Sequence, residues 1–460
     1  MRAFAMLAAL AAPWISSSSA YGQTPAPPEP ESARSAAAPV TQDEPPAEGE
    51  ASRQRLQDLM AEFLEIERAA FRLGTWPKAK VYFDFFDEHG GKHPLFDRYL
   101  TSRVAEQWCT LGNYRGALQA FDQSHNRRSQ DAEKPDAQRA SLDGYEAQDA
   151  VDVIVKASQG RRAVLINEAH HVPQHRALTR RLLPALRGQG FTHFAAETLS
   201  PPPILKRSTE KGYPTGETGY YTEEPLYADL VRAAMALGFE IVAYESTDLD
   251  RDTDRELSQA QNLKARVFDG AEDARVLVHL GFSHNREAAE VFSGEPAMAY
   301  RLRELTGIDP LTVDQVSLSE RSVPELEHPL YGELCGGLDG PNPVALSTSG
   351  GATWALPDSG RDVTVCSPRS RYQEGRPTWL ALDGLRRFVP LEPGLCGDAA
   401  ECLVEARPAD EGEDAIPIDR VLVQTGEPLP ALALPAGTFK VSISSEGGAL
   451  IRQATLVVKP

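Results

Sequence analysis

At 460 residues the chain is too long for one ordinary core, and its length suggests about three structural units. With 41% hydrophobic and 25% charged residues it is expected to fold as a globular protein. A net charge of -19 argues against nucleic acid or an anionic membrane surface as partner, because both need basic patches.

The first stretch reads as an address. Arg2 is a short basic start, Ala3 to Trp14 is an apolar run too short to cross a bilayer, and Ser18, Ser19 and Ala20 offer a cleavage site. Residues 1–20 are therefore expected to be a signal peptide, and the mature protein to lie in the periplasm or outside the cell. No Cys lies near the expected cut, so a lipid anchor is not indicated, and no later run of about 18 apolar residues predicts a membrane span. Residues 21–52, rich in Ala, Pro, Glu and Ser, read as a disordered linker.

From Arg53 the pattern is helical: Leu56, Leu59, Phe63, Ile66, Ala70 and Leu73 share a face, and Gly74 and Pro77 close the run. Residues 81–100 carry Tyr82, Phe83, Phe85, Phe86, Phe96 and Tyr99. Leu111, Gly112, Tyr114, Ala117 and Phe121 are spaced like one tetratricopeptide-type unit, fewer than the roughly three a solenoid needs. Residues 53–145 are thus expected to form a helical cap ending in a boundary loop at 123–145.

Residues 150–320 alternate apolar strands with helical patterns, the mark of a mostly parallel sheet flanked by helices in an α/β fold. Strands are predicted at 162–167, 192–197, 239–245, 275–280 and 311–316. Helices are signalled by Pro173 with Gly188, by Pro225 with Gly238, and by Asp254 ahead of Leu257 and Val267. Pro184 should kink the first of these or end it early. Residues 201–225, which open with three prolines and carry three glycines beside Tyr213, Tyr220 and Tyr221, read as a loop hung over the sheet edge as a lid. Residues 340–361 also read as loop, and 420–424, 438–444 and 454–458 as strands. The α/β unit is expected to span 150–395, with a small β-rich accessory domain at 396–460. Of the five Cys, Cys396 with Cys402 is the favoured disulfide, Cys335 with Cys366 a candidate second, and Cys109 a buried small hydrophobe.

Each apolar run stops at ionisable residues. The first ends at Asn167, Glu168 and His170, the second at Glu197, the third at Tyr244 and Glu245, and the fourth runs through His279 to Gly281 and His284. Parallel strands bring such ends together, where open α/β sheets bind ligands. Imidazoles and carboxylates in one cleft suit general acid/base work or a divalent metal. There is no Gly-rich phosphate loop, no Ser in a nucleophile elbow and no Cys at a strand end, so an activated water is the expected nucleophile. Glu168, His170, Glu197 and His284 are the candidate catalytic set, and the alternative metal ligands. Arg255, His175, His171, Tyr220, Tyr221 and Glu245 are candidates for holding substrate.

Asn167-Glu168-Ala169-His170-His171, with Pro173 and His175 after it, resembles the Gly-Glu-x-His-Asp motif of the erythromycin-esterase/ChaN-like superfamily. The resemblance runs over about residues 155–320: Glu197 matches the second strand-end Glu, Arg255 and Asn262 an Arg-headed helix, and Gly281 with His284 a Gly-x-x-His turn. Asn167 stands where the motif has Gly, and His171 where it has Asp. Pro173 and His175 support the ChaN-like register, which selects His170. The resemblance implies either a hydrolase or a protein that binds haem or a metal ion. A secreted hydrolase acting on an ester or amide of a small molecule or peptide is the leading expectation. A haem- or metal-binding protein without catalysis is the alternative, with the lid tyrosines and His residues as ligands, and a partner-binding scaffold is the third.

Overall fold

The computed structural model describes residues 48–125, 142–246, 254–289 and 295–460. The expected signal peptide and nearly all of the expected linker lie outside these residues. Four helices come first: α1 (Glu48–Ala70), α2 (Thr75–His89), α3 (Pro94–Thr110) and α4 (Tyr114–Ser124). Helix α1 starts five residues before Arg53. Phe63 centres the helical core, with rings of Tyr82, Phe85, Phe96 and Tyr99 at 5.2–6.1 Å from its own. Such edge and tilted contacts add to the area that aromatic side chains bury. At the α3–α4 turn Gly112 has φ +76 and lies against the backbone of Arg420, with no room for a Cβ. The hairpin tip is thereby seated on the C-terminal sheet, where Leu422 N–H donates to Leu111 O at 3.0 Å.

The large sheet takes β1 (Glu146–Asp149), β2 (Ala163–Glu168), β3 (His193–Ala196), β4 (Glu240–Ala243), β5 (Val276–Gly281), β6 (Leu311–Leu318), β7 (Val344–Ser347) and β8 (Val363–Cys366). Its order is β1-β7-β8-β6-β2-β5-β3-β4, with every pair from β8 to β4 parallel and only β1 and β7 antiparallel to their neighbours. Strand β2 shows why both faces are apolar. Val164 and Ile166 pack on one side with Leu178, Leu182 and Leu230, while Ala163 and Leu165 pack on the other with Leu263, Met298 and Leu302. The covering helices are α5 (Ala150–Ala157), α6 (Gln174–Gly188), α7 (Pro202–Lys211), α8 (Pro225–Ala236), α9 (Arg255–Leu263, continued as a π-turn over Lys264–Phe268) and α10 (Met298–Thr306).

Three expectations are corrected. Helix α6 does not end early at Pro184 but runs through it to Gly188, with Pro184 on the exposed side. The stretch 201–225 is not all loop: it holds α7, and Ser200 N–H to Thr218 O (2.9 Å) and Tyr220 N–H to Thr198 O (3.2 Å) tie its return to the end of β3. The stretch 340–361 contains strand β7.

The C-terminal part is antiparallel. A short hairpin pairs β9 (Tyr372–Gln373) with β10 (Arg376–Pro377), a four-stranded sheet has the order β13-β12-β15-β16 (Asp419–Gln424, Glu401–Pro408, Gly437–Ser445, Leu450–Val458), and β11 (Arg386–Val389) pairs with β14 (Leu432–Pro435). Strand β12 is additional to those expected, although Cys402, Val404 and Ala406 alternate with Glu401, Glu405 and Arg407 along it. Disulfides join Cys335 to Cys366 and Cys396 to Cys402, and Cys109 is a buried free thiol. Among the described residues no helix is long and apolar enough to cross a membrane.

Candidate active site

The sheet order places the carboxyl ends of β2, β5, β3 and β4 side by side, with Glu168 in register with Gly281 and Ala196 with His279. Two charged groups assemble there.

The first is centred on Glu168, whose two oxygens take four donors. Arg176 reaches Oε2 through Nε at 2.7 Å and Oε1 through Nη2 at 2.9 Å; His170 Nδ1 lies 2.9 Å from Oε1 and His279 Nε2 2.9 Å from Oε2. Burial opposes the charge on Glu168, but Arg176 and His279 outweigh it and hold the carboxyl well below its ordinary range. An ionised carboxylate only accepts, so the contact puts a proton on His170 Nδ1 and on His279 Nε2. With Nδ1 so engaged, His170 Nε2 makes no hydrogen bond within the described residues. The Arg176 fork comes from α6, and its remaining donors go to Glu224 Oε2 and His170 O, each at 2.8 Å.

The second is centred on Glu197, just past β3. Its Oε2 accepts Gly281 N–H at 2.5 Å and its Oε1 accepts Arg255 Nη2 at 2.8 Å, with His284 Nε2 at 3.6 Å. Burial would raise this carboxyl, but His284, Arg255 and His170 bring it down to about 2. Arg255 opens α9 and is gripped on its other side by Glu245, at 3.0 and 2.7 Å. Glu245 is in turn fixed by Gln259 Nε2 and Ser246 N–H, both at 3.0 Å. His284 puts Nδ1 2.5 Å from Glu256 Oε1 and Nε2 3.2 Å from Arg255 Nη1. Burial disfavours its charge, but Glu256 and Glu197 overcome this and raise the His284 pKa above its ordinary value.

The two groups meet over Gly281. A Cβ on that residue would collide with His170 Cε1 and fall 2.5 Å from His170 Nε2 and 2.8 Å from Glu197 Oε2. The basic nitrogen of one group and the carboxylate of the other therefore converge on the same point, and only glycine leaves space for both. Both turns that bring them there carry non-glycine residues at positive φ: Thr198 at 59, after Glu197, and Phe282 at 41, after Gly281. Backbone held in such sparsely populated regions clusters at functional sites. Tyr221 stacks on the His170 ring at 4.1 Å, and Phe282 meets it edge-on at 5.1 Å. The side chains of His170, Arg255 and His284 are 13%, 17% and 18% exposed, whereas Glu168 and Glu197 are 1% and 3%. Solvent therefore meets imidazole and guanidinium, with the carboxylates behind them.

No family model matches the chain, and no curated protein matches it. Among solved structures it is similar to one described as bacterial protein toxins (TM-score 0.31, 17% identity, covering 56% of this chain and 56% of that one). It is also similar to RRSP, a MARTX toxin effector domain from Vibrio vulnificus CMCP6 (TM-score 0.27, 18% identity, 56% and 55%). A third is the C-terminal region of Pasteurella multocida toxin (TM-score 0.28, 10% identity, 82% and 58%). The match spans 55–58% of the length of those chains.

Glu168, His170, Glu197, His284 and Arg255 thus share one site, and Glu245 belongs to it through Arg255. Tyr220 and Tyr221 line, with His170 and Arg176, a cavity of about 20 Å³ under α3, and Tyr220 OH donates to Glu106 at 3.0 Å. His171 and His175 are buried away from solvent. His171 is buried flat against Phe121 at 3.6 Å, and His175 is fully buried with Nδ1 accepting Ala169 N–H at 3.0 Å. Burial holds His171 well below its ordinary pKa and brings His175 down to about 4, so both are neutral packing groups.

Among the described residues no group of three or more His, Cys, Asp and Glu side chains is disposed to hold a metal ion. The Glu168 oxygens are taken by Arg176, His170 and His279, and those of Glu197 by Arg255 and Gly281 N–H, so this donor set does not fit a metal as arranged. The cavity beside His170 has room for a water molecule. Arg176, His279 and Glu256, which holds His284, were not singled out in the sequence. Arg176 stands eight residues past Glu168, on the first turn of α6, as an internal counter-ion. His279 points inward from β5 and reads from its alternation as a core residue, yet it holds Glu168.

Proposed function

We propose that the chain is a secreted hydrolase in which His170, oriented by Glu168, activates a water against an ester or amide carbonyl. The observation that carries this reading is the setting of the His170 ring: Nδ1 is fixed on a buried, ionised carboxylate, and Nε2 has no hydrogen-bond partner among the described residues and lies above Gly281. A positioned imidazole base contributes roughly 10²–10⁴-fold to such a reaction. Nε2 takes a proton from water as the oxygen attacks the carbonyl carbon. The imidazolium formed is stabilised by Glu168 on one side and by the ionised Glu197 near the other. The same proton then goes to the leaving group. Arg255 and His284 are the exposed donors of the site and are placed to receive the charge developing on the carbonyl oxygen, a term of roughly 10²–10³-fold per donor in related chemistry.

The order Glu168-x-His170, Glu197, Arg255, Gly281-x-x-His284 supports kinship with the erythromycin-esterase/ChaN-like superfamily. Its hydrolytic branch fits this site better than its haem-binding branch, since Tyr220 is engaged by Glu106. The two disulfides and the leader-like start support export to an oxidising compartment. The test is a panel of chromogenic esters and amides presented to residues 21–460 and to the His170→Ala variant. Turnover that falls at least a hundredfold in the variant, at a nearly unchanged Tm, is the expected result. Equal turnover in the two proteins, or none by the wild type on any member, contradicts the proposal.

A further inference from the structure

Behind the site lies a buried polar cluster that the proposed chemistry does not use. Asn167, Asp314 and Asn285 are each 0% exposed, and the Arg361 side chain is 8% exposed. Asn167 Nδ2 donates to Phe282 O at 2.7 Å and to Asp314 Oδ1 at 3.0 Å, while its Oδ1 accepts Gln315 N–H at 2.7 Å. Arg361 donates through Nη2 to Phe282 O at 2.9 Å and through Nε to Asn285 Oδ1 at 2.8 Å, with Nη1 3.4 Å from Asp314 Oδ2. Asn285 Nδ2 bonds the carbonyls of Val313, at 2.8 Å, and Leu165, at 3.3 Å. On the opposite side Phe282 N–H donates to Glu168 O at 2.7 Å.

These bonds converge on one residue. Phe282 carries the positive φ of 41, and its carbonyl takes two side-chain donors while its amide is held by the end of β2. A phenylalanine stays in that region only when its surroundings over-determine it. The segment so clamped delivers the two pieces of the site that come from β5: Gly281 N–H on Glu197, and the imidazole of His284 between Glu256 and Arg255. A buried charged pair is weak evidence of stabilisation, since apolar replacements of the same shape are often as stable. An explanation through placement fits better. We infer that Asn167, Asp314 and Arg361 are positioning residues, which lock the 281–285 turn so that Gly281 N–H and His284 stay on Glu197. This rests on the hydrolase reading for its kinetic consequence but not for its geometric one. Asn167 stands where the resembling motif has Gly, so this clamp is a property of the present chain.

The test uses the mature protein labelled with ¹⁵N-glycine, in which the Gly281 amide signal is identified by its disappearance in Gly281→Ala. Asn167→Gly removes all three carboxamide bonds, and Arg361→Lys keeps the charge but not the fork to Phe282 and Asn285. In each variant the Gly281 signal should move upfield as its bond to Glu197 lengthens. The kcat should fall about tenfold or more with KM within about twofold, since a misplacement near 1 Å can cost roughly 10² in rate. If Asn167→Gly does not fold, Arg361→Lys decides. A fall in Tm with the Gly281 signal and kcat both unmoved means the cluster is merely structural and overturns the inference. If the wild type turns over nothing, the hydrolase reading fails alone, and the amide signal still decides the placement of the turn.

Discussion

Gly281→Ala isolates the meeting of the two charged groups better than any other substitution. Gly281 does not occupy the left-handed region, so alanine meets no backbone penalty there. The effect comes only from the methyl group, which would sit 2.5 Å from His170 Nε2 and 2.8 Å from Glu197 Oε2, against ordinary contacts of about 3.5–4.0 Å. His170 must therefore retreat by roughly 1 Å, and its ring is held by Glu168 at 2.9 Å and stacked on Tyr221 at 4.1 Å, so it cannot swing aside freely. Overpacking of this kind costs about 1–3 kcal/mol, which lowers Tm by only a few degrees per kcal/mol in a domain of this size. A displacement of the base near 1 Å costs on the order of 10² in turnover. The assay measures kcat/KM on the best substrate of the ester and amide panel, beside a thermal melt. A folded variant with near wild-type kcat/KM would refute the reasoning, because His170 and Glu197 could then not be working at that point.

Glu168→Gln should be worse for stability than His170→Ala. It withdraws the charge from Arg176, which is 1% exposed, and breaking a buried pair in this way costs about 3–5 kcal/mol, measurable by urea denaturation. Stability should fall on the acid side in two stages. His175, at about 4 in the folded state against 6.5 ordinarily, contributes stability that is present above pH 6.5 and lost as pH falls toward 4. Glu197, at about 2 against 4.5, does the same between 4.5 and 2 and is worth on the order of 3 kcal/mol. His284 has the opposite sign: its raised pKa stabilises the fold below 6.5, and that contribution is lost as pH rises through the folded value. Denaturation curves across pH for wild type and His284→Gln separate these terms. Removing the Cys335–Cys366 disulfide, which spans 31 residues, should cost about 3–4 kcal/mol, and removing Cys396–Cys402, which spans 6, about 2, on a chain-entropy account read from denaturant midpoints.

Much of this architecture was legible because it follows from local periodicity. The strands β2, β3 and β5 are mainly apolar runs buried on both faces, and all five strands from Ala163 to Leu318 end within two residues of their expected limits. The strand-end carboxylates and imidazoles could be named for the same reason: a polar residue that stops an apolar run is visible in one dimension. What could not be read is three-dimensional satisfaction. His175 and Arg176 are adjacent, yet one packs as a neutral ring and the other neutralises Glu168, a difference set by what β2 presents to α6. The proline-opened helix α7 was hidden because Pro201 and its neighbours read as loop residues, although proline is also well suited to a first helical turn. The positive φ of Phe282 has no signature in sequence, since the donors on its carbonyl, Asn167 and Arg361, come from β2 and from the loop before β8.

The central claim is that Glu168 holds the His170 proton at Nδ1 and leaves Nε2 as the base. Nitrogen-15 NMR of histidine-labelled mature protein, with the His170 signals assigned by their loss in His170→Ala, reads this directly. A neutral ring with a protonated Nδ1 and a bare Nε2 is the predicted result, and it should be lost in Glu168→Gln. A ring protonated at Nε2 in the wild-type protein would contradict the account.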